Sequence, residues 1–266
     1  MKIANIAPAS MLEDLIDEQE TYHLVVTEQV LDNLPYRRFY QDRVARGDFV
    51  ILDSDAFEKA EGSTTEAQVA AMLLLRPTEV VLPDTSSRHG TEPTGDEAFS
   101  TAQAAHYAYT AIQAELNWMR TPQFMAVAHG RTWEEYMECA VRLEELQNVV
   151  CIGVFEEVPE LFGISRAEAV QYLSNVLNAE TDIHLLGMSE DMLDLQDPFV
   201  QQRCRGVDAG KLVCWGLYGS RVTTKSVPKY PGRPKGYFEI PRHSNSLGEV
   251  DLARDNISYW RELTRA

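Results

Sequence analysis

A single (β/α)8 barrel is the fold this sequence predicts, on three observations. Short runs rich in Val, Ile and Leu alternate with helical stretches along the chain, as in a parallel sheet covered by helices. The length, 266 residues, is usual for one such barrel and would be cramped for two full-sized domains. Several of the apolar runs end in a carboxylate, and carboxylates at the C-terminal ends of strands are how barrel enzymes build active sites. A doubly wound open sheet is the alternative, but no glycine fingerprint follows the first run to mark a dinucleotide site.

Eight runs qualify as strands: residues 3–8, 22–27, 49–53, 79–84, 123–129, 149–154, 183–188 and 204–208. The last is short, and 212–217 competes for its place. Between them, Thr64–Leu75, Ala98–Met119, Thr132–Leu146 and Ser165–Leu177 carry apolar residues at three- and four-residue spacing, the period of a helix with one buried face. Thr132-Trp-Glu-Glu135 and Ser165-Arg-Ala-Glu168 read as capping boxes, in which hydroxyl and carboxylate satisfy backbone donors reciprocally. A last helix over about Glu249–Leu263 closes the ring after a long loop, 219–247. No linker, internal repeat or low-complexity segment divides the chain, so one domain is expected over 1–266.

Composition excludes several classes. Hydrophobic residues at 44% and charged residues at 24% leave no room for extensive disorder. No apolar run approaches the roughly 18 residues that span a bilayer, and the N-terminus lacks the apolar stretch of a secretory signal. No membrane association is expected, and the expected compartment is a cytoplasm. Cys139, Cys151, Cys204 and Cys214 show no CxxC or other close pairing, so they read as buried free thiols. His23, His89, His106, His129, His184 and His243 show no HxH or HExxH spacing, and no metal site is expected. His184, on an apolar strand, reads as a core histidine. His129 is followed by Gly130, which permits close approach of a flat ligand.

A formal charge of -17 argues against general affinity for nucleic acid, whose phosphates need Lys and Arg. One local stretch answers that need. Residues 225–242 carry five basic residues against one acidic, with Tyr230, Tyr237 and Phe238 interleaved, a composition that could grip a strand through phosphates and stacked bases. Lys225, Lys229, Tyr230, Arg233, Lys235 and Tyr237 are the candidate contacts. Four prolines and two glycines in the same stretch also fit an inert surface excursion.

The chemistry is concentrated at the strand ends. Phe49-Val-Ile-Leu-Asp53 closes on a carboxylate, and Asp55 and Glu58 follow it; 79–84 and 204–208 end on Asp84 and Asp208. Any one of these Asp residues could instead cap the next helix. With eight strands in a barrel, Asp53, Asp84, His129 with Gly130, Gly153 and Asp208 fall near one rim and face a common pocket. Two carboxylates in one pocket can divide labour, one as nucleophile and one as proton carrier, which suits glycosyl transfer. No GxSxG elbow supports a serine hydrolase.

Asp53-Ser-Asp-Ala-Phe-Glu58 resembles the DSGGFQ segment of the tRNA-guanine transglycosylase superfamily. It is followed in the expected order by Leu82-Pro-Asp84, Val127-Ala-His-Gly130, Ile152-Gly153 and His184-Leu-Leu-Gly187. Arg205-Gly-Val-Asp208, the small size and the Gly-Arg-Pro-Lys-Gly-Tyr-Phe238 tail are most similar to the short, phage-type transglycosylases that place 7-deazaguanines in DNA. The resemblance runs from about 45 to 240. It implies a cofactor-free exchange of guanine in DNA for a free 7-deazaguanine base such as preQ0, with Asp208 as nucleophile on C1′ and Asp53 as general base. It also implies that Asp84 reads the base, with Ser54, His129, Gly130 and Gly153 lining the same pocket. Asp55 and Ala56 stand where the family has glycines, and His129 where many members have Gln. Nothing here has the spacing of the zinc site of the tRNA enzymes, so the barrel is expected without that zinc subdomain and with DNA as partner. Asp194 and Asp197, in the loop before 204–208, compete with Asp208 for the nucleophile's place. The alternatives are a tRNA-directed transglycosylase, a non-catalytic nucleic-acid-binding barrel subunit, and a barrel hydrolase or lyase of a small metabolite. The sequence leaves the oligomeric state open.

Overall fold

Runs of aliphatic residues without polar alternation form strands buried on both faces, and such strands assemble in parallel with helices outside them. The computed structural model describes residues 1–54, 63–84, 93–116, 122–244 and 246–265. Asp55, Ala56, Glu58 and His89 lie outside the described residues. Among the described residues eight strands are present: β1 (Lys2–Asn5), β2 (Tyr22–Val26), β3 (Phe49–Asp53), β4 (Glu79–Val81), β5 (Gln123–Val127), β6 (Val149–Phe155), β7 (Asp182–Leu186) and β8 (Cys204–Ala209). They form one sheet in the order β1-β8-β7-β6-β5-β4-β3-β2, with every hydrogen-bonded pair parallel. The two end strands, β1 and β2, lie against each other, so the sheet curls into a nearly closed (β/α)8 barrel.

All eight predicted strands are found, with shifted ends. β4 stops three residues before Asp84, because Pro83 has no N–H to continue a ladder. β7 stops at Leu186, where Gly187 at φ +71° turns the chain off the sheet. The run 212–217 is not a strand. It lies in a helix, and a short apolar run cannot by periodicity alone be told from a fully buried helix.

The helices are α1 (Leu12–Leu15), α2 (Thr27–Asp32), α3 (Leu34–Ala45), α4 (Thr65–Leu75), α5 (Gly95–Leu116), α6 (Trp133–Glu144), α7 (Val158–Phe162), α8 (Arg166–Val176), α9 (Pro198–Arg203), α10 (Lys211–Leu217) and α11 (Leu247–Arg265). Hydropathy does not mark α3, because the face it buries is made of Tyr36, Tyr40 and Arg43 rather than aliphatic residues. Ser165 and Glu168 form the expected capping box at the start of α8. At α6 only half of a box forms. Thr132 accepts from the Glu135 N–H, but the Glu135 carboxylate accepts from the Arg131 N–H instead of returning to Thr132. α10 packs on α11, with Gly216 so close to Ala253 that a Cβ there would fall 2.2 Å from its Cα. All four cysteines are buried and free. Among the described residues no helix is long and apolar enough to cross a membrane.

Candidate active site

Parallel strands present their C-terminal ends to one rim, and residues there face inward over the barrel. Asp53 ends β3, Ser54 follows it, Asp84 and His129 sit just beyond β4 and β5, and Asp208 lies near the end of β8. These five side chains line a single cavity of about 250 Å³, together with Phe155, Glu156, Glu157, Leu186, Met188, Glu190, Lys211, Tyr230 and Arg233 among others. Five of the seven residues expected at the catalytic and base-binding centre are thus brought together.

Asp84 is the hub of one wall. Its Oδ1 accepts from the Ser54 hydroxyl at 3.2 Å, and its Oδ2 is 3.1 Å from His129 Nε2. The His129 ring stacks on Phe155, with centroids 4.9 Å apart and planes within 15°, so its edge is aimed at Asp84. Asp208 forms the facing wall. The Gly187 N–H donates to its Oδ1 at 2.9 Å, and His184 Nε2 lies 3.5 Å from the same oxygen. The backbone carbonyl of Asp53 accepts from Thr27 Oγ1 at 2.6 Å, which fixes the end of β3 on α2.

Asp194 and Asp197 do not line the cavity. Asp194 binds Arg166 and Ser189, and Asp197 caps α9 through the N–H groups of Phe199 and Val200. Arg166 also donates to the carbonyls of Val154, Leu186 and Gly187, which holds the β7 end in the position that offers Gly187 N–H to Asp208. Of Asp194, Asp197 and Asp208, only Asp208 lines the cavity.

Two expectations are corrected. Gly130 and Gly153 are buried but do not line the cavity. A Cβ on Gly130 would fall 2.4 Å from Tyr136 N, so this glycine lets the chain after β5 press against the start of α6. A Cβ on Gly153 would fall 2.7 Å from Leu186 Cδ1, so this glycine makes room for the β7 side chain. Both are packing positions.

The basic segment comes back over the same rim. Lys225, Lys229 and Lys235 are exposed. Trp215 Nε1 donates to the carbonyls of Pro228 and Lys229, pinning the segment to α10. Tyr230 packs edge-on against Trp215 and enters the cavity lining, as does Arg233, whose guanidinium lies over the rings of Tyr237 and Phe238. Tyr237 is the third correction. It is 3% exposed and its hydroxyl donates to the Ile6 carbonyl at 2.7 Å, so its ring is core and has no face for a nucleic-acid base.

Sequence reasoning did not single out Glu156, Glu157, Glu190 or Lys211. Glu156 and Glu157 follow directly on the apolar β6, the same signal that marked Asp53, and Lys211 stands three residues after Asp208. Lys211 Nζ binds Glu156 Oε2 at 2.6 Å across the mouth. Among the described residues no group of three or more His, Cys, Asp or Glu side chains is arranged to hold a metal ion. No protein-family model matches the chain, and no curated protein matches it.

Proposed function

We propose that this chain is a DNA-directed transglycosylase of the tRNA-guanine transglycosylase superfamily, exchanging guanine in DNA for a free 7-deazaguanine base such as preQ0. The observation that carries the reading is the convergence of Asp53, Asp84 and Asp208 on one cavity at the C-terminal rim of the barrel. Its volume, about 250 Å³, falls just below the roughly 300–1,000 Å³ typical of drug-sized sites, which suits a single base better than an extended ligand.

In this reading Asp208 attacks C1′ of the target deoxyguanosine, the glycosidic bond breaks, and guanine leaves with the bonding electrons, its freed nitrogen taking a proton from Asp53, which is thereby left as a carboxylate. A covalent deoxyribosyl ester of Asp208 remains. Asp53 then removes the ring N–H proton from the incoming 7-deazaguanine, whose nitrogen displaces the ester and regenerates the carboxylate. Both contacts seen at Asp208 fall on Oδ1, so Oδ2 is the oxygen that attacks. Asp84, steadied by Ser54 and His129, keeps lone pairs to accept N1–H and the exocyclic amine of a guanine-like ring, an arrangement that rejects adenine. The target base must leave its stack to reach the cavity. Lys225, Lys229 and Lys235 would hold phosphates outside, while Tyr230 and Arg233 at the mouth would meet the extruded nucleotide.

Mass spectrometry of nucleosides from DNA incubated with the protein and free preQ0 tests the reading. A 7-deazaguanine deoxynucleoside that accumulates as guanine is released is the expected result; its absence with both single- and double-stranded DNA would overturn it. One observation favours a second reading, a hydrolase or lyase of a small metabolite. Six carboxylate residues, Asp53, Asp84, Glu156, Glu157, Glu190 and Asp208, face two cations, Lys211 and Arg233, in the cavity, a balance that disfavours a bare phosphodiester. Failure to bind DNA at low salt would support it.

A further inference from the structure

A chain of polar side chains climbs through the barrel interior to Asp208, and the base-exchange steps leave it without a task. Glu79 opens β4 and is fully buried; its two carboxylate oxygens accept from Arg205 of β8 at 2.6 and 2.9 Å. β4 and β8 stand opposite each other in the ring, four strands apart in either direction, so this pair closes across the lumen. Arg205 also binds Asp182 at 3.2 Å and donates from Nε to the Tyr22 hydroxyl at 3.1 Å. The Tyr22 hydroxyl lies 2.8 Å from His184 Nδ1, and His184 Nε2 lies 3.5 Å from Asp208 Oδ1. Gly206 belongs to this column, since a Cβ there would fall 2.5 Å from the Tyr22 ring. On its apolar strand His184 is expected only to be a core histidine.

The direction of each proton follows from donor chemistry. Arg205 has no acceptor and stays protonated, so Tyr22 must accept from its Nε–H. The single Tyr22 proton is then free to go only to His184 Nδ1, which makes Nδ1 the acceptor. The proton of a neutral His184 consequently sits on Nε2, facing Asp208. Burial keeps both groups in the forms this requires: it pushes the Tyr22 hydroxyl pKa up and the His184 imidazole pKa down, the latter against the pull of Asp208 and with help from Arg205 and Arg166.

We propose that Tyr22, oriented by Arg205, locks His184 in the Nε2–H tautomer, and that this imidazole positions the Asp208 carboxylate for attack. The role assigned to Asp208 rests on the transglycosylase reading; the tautomer lock does not. Tyr22 and His184 are positioning residues and do not touch substrate. His184 Nε2 is buried and makes no hydrogen bond among the described residues; Asp208 Oδ1 stands 3.5 Å from it, and catalytic contacts of this length often tighten when substrate binds.

Two measurements test the proposal. Long-range 1H–15N spectra of histidine-labelled protein between pH 5.5 and 8, with His184 assigned by its loss in His184→Gln, should show a neutral ring protonated at Nε2. Protonation at Nδ1, or an imidazolium in that range, would overturn the lock. In the base-exchange assay, Tyr22→Phe should lower kcat roughly 10- to 100-fold with KM for the free base unchanged, the scale on which supporting contacts act at other sites. His184→Gln should retain far more rate than His184→Phe, because its amide can accept from Tyr22 and donate to Asp208. Wild-type rates in folded Tyr22→Phe and His184→Gln, alongside an active wild type, would refute the positioning role alone. A wild type that exchanges no base while its spectrum shows Nε2–H would refute the transglycosylase reading and leave the lock standing.

Discussion

Asp208 and Asp53 stand in the same cavity but are held differently, and their replacements are expected to fail differently. Asp208 takes its backbone contact from the Gly187 N–H. Asn can keep that bond through its amide oxygen but cannot form the ester, so Asp208→Asn should fold normally, exchange no base and leave no adduct when DNA is quenched in denaturant. An adduct on the variant would place the nucleophile elsewhere. The Asp53 side chain faces the cavity while its carbonyl is tied to Thr27. Asp53→Asn should therefore retain DNA affinity and lose turnover by about 10²–10⁴-fold, the usual contribution of a positioned base. Parallel loss of binding and rate would show that Asp53 matters for the rim's shape instead.

Elements decide how these side chains are presented. The chain leaving β5 passes so close to α6 that Gly130 has no room for a methyl group against Tyr136 N. Gly130→Ala should cost about 1–3 kcal/mol, the range for overpacking, measured by urea unfolding; a loss below a few tenths would mean that α6 can slide outward. The segment 219–247 is anchored at Trp215, Tyr230 and Tyr237 and leaves Lys225, Lys229 and Lys235 in solvent. Replacing these three lysines with Ala should weaken DNA binding and flatten its salt dependence, by about one unit of slope for each phosphate contact removed. Affinity for the free base should not change. Arg233 is left out of this test because it lines the cavity itself. An unaltered salt slope would show that phosphates are held by another surface.

At the scale of the whole molecule, a chain of formal charge -17 must confine any contact with DNA to a small cationic area, and the barrel's polar interior must be kept in fixed protonation states. His23 and His184 are both buried, and burial holds each imidazole below its ordinary pKa of 6.5. The unfolded chain takes up protons near that pH that the native chain refuses. Stability is therefore expected to fall as pH drops below about 6.5 and to be insensitive to these two groups above it. Urea midpoints at pH 7.5 and 5.5 check this, and His184→Gln should show a smaller difference between the two than the wild type. An equal difference would mean that His184 titrates in the folded barrel as it does in the unfolded chain.

The number of strands, the helix starts at Thr64, Thr132 and Ser165, and the rim on which Asp53, Asp84, His129 and Asp208 gather are legible along the chain. Those are consequences of local hydropathy and of caps that act within a few residues, and in a parallel barrel they fix which end each strand presents. The folded barrel supplied the rest. It separated Asp208 from Asp194 and Asp197, because the latter two are consumed by contacts with Arg166, Ser189 and the start of α9. It turned Gly130 and Gly153 from pocket walls into packing sites, and buried Tyr237 against Ile6, 231 residues away in sequence. It joined Tyr22 to Arg205 across 183 residues and carried that link through His184 to Asp208. Such contacts depend on which side chains meet across the lumen, and no periodicity along the chain encodes the partner on the opposite strand.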